Sequence, residues 1–100
     1  MLEAFWSFYR GQGEVTCIGD VTYPVECRLF EKCVRMKLPD REFEGPYPLM
    51  DLSSMLYARG IDPQKDRLEL AGESGLMRHN ALDDVRMSRA IWKKYICPNI

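Results

Sequence analysis

The apolar positions at the start of the chain predict a helix followed by a strand. Side chains of the first segment recur three and four residues apart, the spacing of one helix face: Leu2, Phe5, Trp6 and Tyr9. Gly11 and Gly13 end this helix. Residues 14–19, with the sequence EVTCIG, then alternate and contain β-branched side chains. This pattern predicts a strand that stops at Asp20.

A second helix is predicted from Pro24 to about Met36. Proline is favoured at the first helical position, where its missing N–H costs no hydrogen bond. The apolar side chains that follow share one face of the helix: Val25, Leu29, Phe30, Cys33 and Val34. Charged residues of the same segment point elsewhere, so this helix is also expected to pack on one side.

Residues 37–48 predict a long surface connection, because they carry three of the six prolines and a glycine. A short extended piece, Tyr47 to Met50, leads out of it. Asp51 or Ser53 can cap the next helix, which Gly60 ends.

Two more helices are predicted towards the end of the chain. Residues 66–71 form a short helix that Gly72 ends. Asn80 is the expected N-cap of the last helix, which runs to about Tyr95, and Asp83 occupies the capping-box position. Helices therefore outnumber strands in the expected α/β fold.

Composition narrows the class of protein. A hydrophobic fraction of 46% in 100 residues supports one folded domain, residues 1–100, with a modest core. The net charge of −1 provides no chain-wide positive field, so any phosphate contact must be local. The four cysteines lack zinc-site spacing and are expected to be reduced thiols. No leader pattern or apolar run of about 20 residues occurs, so we expect a soluble, cytoplasmic protein without membrane contact.

Candidate chemistry is concentrated in the sequence HNALDD at the head of the last predicted helix. His79 precedes Asp84 by five residues. An imidazole titrates near neutrality, and a carboxylate is a hard oxygen ligand suited to Mg²⁺ or Mn²⁺. Together the two groups can deprotonate a metal-held water. A simpler alternative is that Asn80 caps the helix, the acids face its dipole, and His79 is an exposed loop residue.

Three segments, spanning about residues 14–95, resemble the histidine-type DEDD 3′-5′ exonucleases of the ribonuclease-H-like fold. HNALDD resembles their last motif, which implies that His79 is the general base and Asp84 a metal ligand. Asp20, after a strand and before a helix opening PVE, resembles the middle motif, with Glu26 as the reserve candidate. PLMDLSSMLYARGIDP, residues 48–63, resembles the strand and helix that join these two motifs.

The resemblance implies an incomplete ribonuclease-H-like α/β domain, with a short sheet and about four helices, corresponding to the C-terminal two-thirds of an exonuclease domain. It also implies metal-dependent phosphodiester hydrolysis of single-stranded RNA or DNA. Mg²⁺ or Mn²⁺ binding is expected to be weak or absent in the isolated chain, because the family's first motif, Asp-x-Glu on an apolar strand, is not found before Asp20. The only Asp-x-Glu, Asp40 to Glu42, lies in the proline-rich connection and is rejected as that motif.

Hydrolysis by two metal ions needs bridging carboxylates that hold the ions about 4 Å apart. We therefore expect little or no activity from the chain alone unless another polypeptide contributes the missing acids. Missing leading strands would leave a sheet edge and an apolar face, which a second copy in a homodimer or a complementing protein chain would cover. The alternative is a catalytically inactive nucleic-acid- or protein-binding module, such as a small phage or bacterial regulator.

Basic residues near the candidate site have two interpretations. Arg78, Arg86 and Arg89, together with Lys93, can steady a nucleic-acid backbone near the acidic residues. The alternative is a solvated helix face. Four aromatic side chains can likewise stack on bases or pack in the core: Trp6, Tyr9, Tyr23 and Trp92.

Overall fold

The computed structural model describes residues 1–73 and 75–99, which form a small mixed α/β structure. Five α-helices occur in this part of the chain: α1 (Leu2–Arg10), α2 (Val25–Met36), α3 (Leu52–Ala58), α4 (Arg67–Ala71) and α5 (Ala81–Ile91). A π-helical turn, Trp92–Ile96, follows α5 directly. Strands β1 (Ile18–Gly19) and β2 (Met50–Asp51) pair in parallel. The predicted α/β class is confirmed, while the ribonuclease-H-like assignment stays a prediction.

The chain forms two compact units, Met1–Met50 and Asp51–Ile100. In the first unit, α1 contacts α2 through aromatic rings. The ring centroids of Phe5 and Phe30 lie 5.5 Å apart, and those of Tyr9 and Phe30 lie 5.4 Å apart. Trp6 and Cys33 are buried. The apolar faces predicted for both helices are therefore confirmed, except that Val25, the first residue of α2, is exposed.

The connection between α2 and β2 is a run of turns, as predicted, but it is not wholly a surface segment. Arg41 is only 6% exposed. Its guanidinium donates to the carbonyl of Cys33 at 2.9 Å and to the carboxylate of Glu3 at 3.0 and 3.3 Å. The same group lies 4.8 Å from the ring centroid of Trp6. A buried cation with these partners fixes the connection against α1 and α2.

The first strand is shorter than the sequence predicts. The prediction of a strand over residues 14–19 is wrong for residues 14–17, because only Ile18–Gly19 is regular strand. The N–H of Met50 donates to the carbonyl of Cys17 at 3.0 Å at the edge of this pairing. A strand extends only as far as its partner does, and β2 has two residues. The sequence β1, α2, β2 is a small β-α-β arrangement.

The second unit has the larger core. Its buried residues come from α3, α4 and α5: Leu52, Leu56, Leu70, Ala71, Met87 and Ile91. Asp51 caps α3 by accepting the Ser53 N–H at 3.0 Å. Gly72, with φ 65°, ends α4 in the left-handed conformation that glycine adopts without a Cβ penalty. These predicted caps are confirmed. Within the described ranges no helix is long and apolar enough to cross a bilayer.

Candidate functional site

The head of α5 is built by the capping interaction that the sequence predicts. The side-chain oxygen of Asn80 accepts the N–H of Asp83 at 3.1 Å. Asp83 occupies the capping-box position, but its carboxylate accepts the N–H of Met77 at 3.0 Å, three residues before the cap. Arg86 lies 3.3 Å from the same carboxylate, and the Asp83 side chain is 13% exposed. The Asp83 carboxylate therefore has a structural role, because it holds the segment that precedes α5 against the first turn of the helix.

Asp84 differs from its neighbour. It is exposed, and its carboxylate makes no hydrogen bond or ion pair with residues 1–73 or 75–99. Its N–H donates to the carbonyl of Asn80 at 2.8 Å, so the backbone position is fixed while the side chain is not. Of the two adjacent acids, Asp84 is the one whose carboxylate has no partner among the described residues, and its role as a metal ligand stays a prediction.

His79 adopts a left-handed backbone conformation, with φ 62°, and its side chain is exposed. A left-handed conformation costs an L-residue about 1–2 kcal/mol and persists where neighbouring contacts impose it. Such contacts exist on both sides of His79. The N–H of Met77 is bound to Asp83, and Asn80 is bound to the first turn of α5. The backbone of His79 is thereby held just outside the helix, at the end where Asp84 lies.

Arg78 adds a third attachment to this segment. Its guanidinium donates to the carboxylate of Asp66, which is also the N-cap of α4. This hydrogen bond lowers the pKa of the Asp66 carboxyl below its usual value of 3.8. A carboxyl with a lowered pKa in the folded state stabilises the fold above its ordinary pKa, and the contribution is lost as the pH falls through the lowered pKa. The link between Arg78 and Asp66 is therefore intact at neutral pH.

Asp20 lies in the first unit, directly after β1, and is half-buried. Val21, which follows it, has φ 52°, a conformation that is exceptional for a β-branched residue. Gly19 lies so close to buried Thr22 that an added Cβ would come 2.7 Å from the Thr22 methyl group. The turn after β1 is therefore tight. Glu26, the reserve candidate, lies in the first turn of α2.

The structure brings His79 and Asp84 to the same end of α5, whereas Asp20 belongs to the other compact unit. In the described part of the chain, no group of three or more histidine, cysteine, aspartate or glutamate side chains is arranged to hold a metal ion. His79 and Asp84 can thus supply one imidazole and one carboxylate. The assignment of Asp20 to the same centre stays a prediction.

The three arginines that the sequence offers for nucleic-acid binding differ in their surroundings. The guanidinium of Arg78 is engaged by Asp66, and that of Arg86 lies beside Asp83. Arg89 is exposed on α5. A phosphate group would therefore compete with existing carboxylate partners at two of the three positions, and would meet an exposed guanidinium at the third.

Two structural features next to the candidate residues were not foreseen from the sequence. One is the hydrogen bond that Arg78 donates to Asp66. It joins residues 12 positions apart, so no pattern of neighbouring residues indicates it. The other is the left-handed conformation of Val21, which the sequence does not indicate because valine rarely adopts it. Asn80 and Asp83, by contrast, carried the ordinary signature of a helix start.

No protein-family model, no curated protein and no solved structure matches this chain. The likeness to the DEDD exonucleases accordingly rests on the residues of the three motifs.

Proposed function

We propose that this chain carries part of a metal-dependent 3′-5′ exonuclease centre that acts on single-stranded nucleic acid. The observation that carries the proposal is the position of the backbone strain. Among the residues described, the two non-glycine residues with positive φ are Val21 and His79. One directly follows Asp20, and the other is the proposed general base. Strained backbone is concentrated at functional sites because surrounding contacts must hold it there.

The proposed roles follow from the chemistry of the side chains. Asp84 would hold Mg²⁺ or Mn²⁺, which prefer carboxylate oxygens, and the family resemblance assigns Asp20 a metal-ligand role as well. When bound, the ion makes a water molecule more acidic and neutralises charge on the phosphate. The His79 imidazole would take the proton from the attacking water as its oxygen bonds to phosphorus and the 3′-oxygen of the preceding nucleotide leaves. The product is a nucleoside 5′-monophosphate.

The Asp-x-Glu pair of a complete centre would come from another polypeptide segment. Asp40 and Glu42 do not suit this role, since residues 37–44 form turns and not a strand. Two metal ions need carboxylates that bridge them. We therefore expect turnover by these 100 residues alone to be slow, and to rise when a segment that bears such a pair completes the sheet.

A nuclease assay tests the proposal. The purified chain, incubated with Mn²⁺ and 5′-labelled single-stranded RNA or DNA, is expected to shorten the substrate slowly from its 3′ end. His79→Ala should reduce the rate at least about 100-fold, the size of a lost general base. Asp40→Asn, which removes an exposed carboxylate from the rejected motif, should leave the rate unchanged. Shortening that survives His79→Ala, or internal cleavage, contradicts the proposed mechanism.

A second candidate function is a catalytically inactive module that binds a protein partner. It is favoured by exposed apolar side chains close to β1 in the first unit: Val15, Ile18, Val21, Tyr23 and Val25, each 39–71% exposed. A two-stranded sheet also has open edges, which pair readily with other strands. A second copy or a complementing chain would cover this surface. No release of nucleotides, together with a dimer mass in sedimentation equilibrium, would favour this candidate.

A further inference from the structure

The solvent-facing side of α2 forms a shallow hollow that contains none of the motif residues. The hollow has a volume of about 460 Å³ and is lined by Arg28, Glu31, Lys32, Arg35 and Met36. Three of these five side chains are cations and one is an anion. The hollow is therefore locally positive on a chain whose net charge is −1.

The cations differ in how far they are neutralised. Arg35 forms an ion pair with Glu31 at 2.9 Å, one helical turn away. Arg28 and Lys32 are exposed and make no ion pair within residues 1–73 and 75–99. Both long side chains can therefore turn towards a ligand without breaking an ion pair with another described residue.

The spacing of the three cations suits an extended anion. Residues 28, 32 and 35 are separated by four and three positions, which places them on one side of α2. At a rise of about 1.5 Å per residue, the row extends roughly 10 Å along the helix axis. Convergent donors would suit a single phosphate ion, whereas a row of cations matches charges that repeat along a chain.

We propose that this hollow binds the phosphate backbone of single-stranded nucleic acid. The surface lies in the first unit, and this inference goes beyond the proposed catalytic role because it needs neither a metal ion nor His79. Contacts of this kind neutralise phosphates and release counterions, so they are independent of base sequence and weaken with salt. Stable binding of a helix face to an anionic membrane combines basic residues with inserted apolar side chains, and Met36 is the one apolar residue among the five that line the hollow.

Fluorescence anisotropy with labelled oligo(dT) and oligo(U), recorded over a range of NaCl concentrations, tests this site. The double substitution Arg28→Ala and Lys32→Ala should weaken binding about tenfold. Loss of two phosphate contacts should also reduce the slope of log K against log salt by about 1.4. Glu31→Gln should act in the opposite direction and tighten binding two- to threefold, because it removes the anion and releases Arg35.

Two other double variants serve as comparisons. Lys65→Ala with Lys94→Ala removes the same charge from exposed positions in the second unit and should leave affinity within about twofold. Arg86→Ala with Arg89→Ala tests the cations of α5. The site on α2 is refuted if the α2 variant and Glu31→Gln bind like the parent while the α5 variant shows the reduced slope of log K against log salt.

Equal binding of anionic lipid vesicles by the parent and the α2 variant would exclude a membrane ligand for this hollow.

Discussion

Replacing Leu56 with alanine is expected to lower the free energy of unfolding of the second unit by about 3 kcal/mol. Leu56 is fully buried in α3, within the cluster formed by α3, α4 and α5. Deleting a buried leucine side chain removes its transfer free energy and leaves a cavity, which together cost about 2–5 kcal/mol.

The measurement uses the two tryptophans, one in each unit. In protein labelled with 5-fluorotryptophan, the ¹⁹F signal of Trp92, which packs against this cluster, should disappear at a lower urea concentration in Leu56→Ala. Leu82→Ala is the matched control, since Leu82 is also in a helix but is 57% exposed. Its midpoint should change by less than the equivalent of about 1 kcal/mol. Equal effects of the two substitutions would contradict the core described for this unit.

Arg41→Ala is expected to destabilise the first unit by about 2–3 kcal/mol. The substitution removes charge-assisted hydrogen bonds to the carbonyl of Cys33 and to Glu3, and the contact with the ring of Trp6. Hydrogen bonds to charged groups contribute about 1.5–3 kcal/mol, and a cation over an aromatic ring adds about 0.5–2 kcal/mol. The Glu3 side chain is half exposed, which keeps the total below that of a fully buried ion pair.

The ¹⁹F signal of Trp6 reports this effect directly, because the indole lies under the guanidinium. Arg35→Ala provides the control. Its ion pair with Glu31 is exposed on α2 and should contribute only about 0.3–0.5 kcal/mol to the free energy of unfolding. If the Arg41 and Arg35 variants unfold at the same urea concentration, the buried position of Arg41 is wrong.

Features encoded by neighbouring residues were predictable from the sequence. Helix starts at Asp51 and Asn80, and the helix end at Gly72, follow from side chains that satisfy backbone groups within three or four residues. The apolar faces of α1 and α2 follow from helical spacing. The same local signals place His79 just before the N-cap of α5 and Asp84 in its first turn.

Features that depend on distant partners were not predictable. Residues 14–17 have the composition of a strand, but strand length is set by pairing, and β2 has only two residues. Arg41 is buried because Glu3 and the carbonyl of Cys33 surround it, and 38 positions separate it from Glu3. An arginine in a proline-rich segment carries no sign of such burial. The link from Arg78 to Asp66 belongs to the same class.

We propose that His79 and Asp84 belong to one metal-binding site, and paramagnetic broadening of the His79 signals tests this proposal. The chain contains a single histidine, so the imidazole proton signals in an NMR spectrum are unambiguous. Substoichiometric Mn²⁺ alone should broaden the His79 signals selectively. Asp84→Asn should abolish this broadening, and Asp40→Asn should preserve it. Broadening that is unchanged by Asp84→Asn, or that affects the ring of exposed Tyr57 as strongly as His79, would contradict the proposed site.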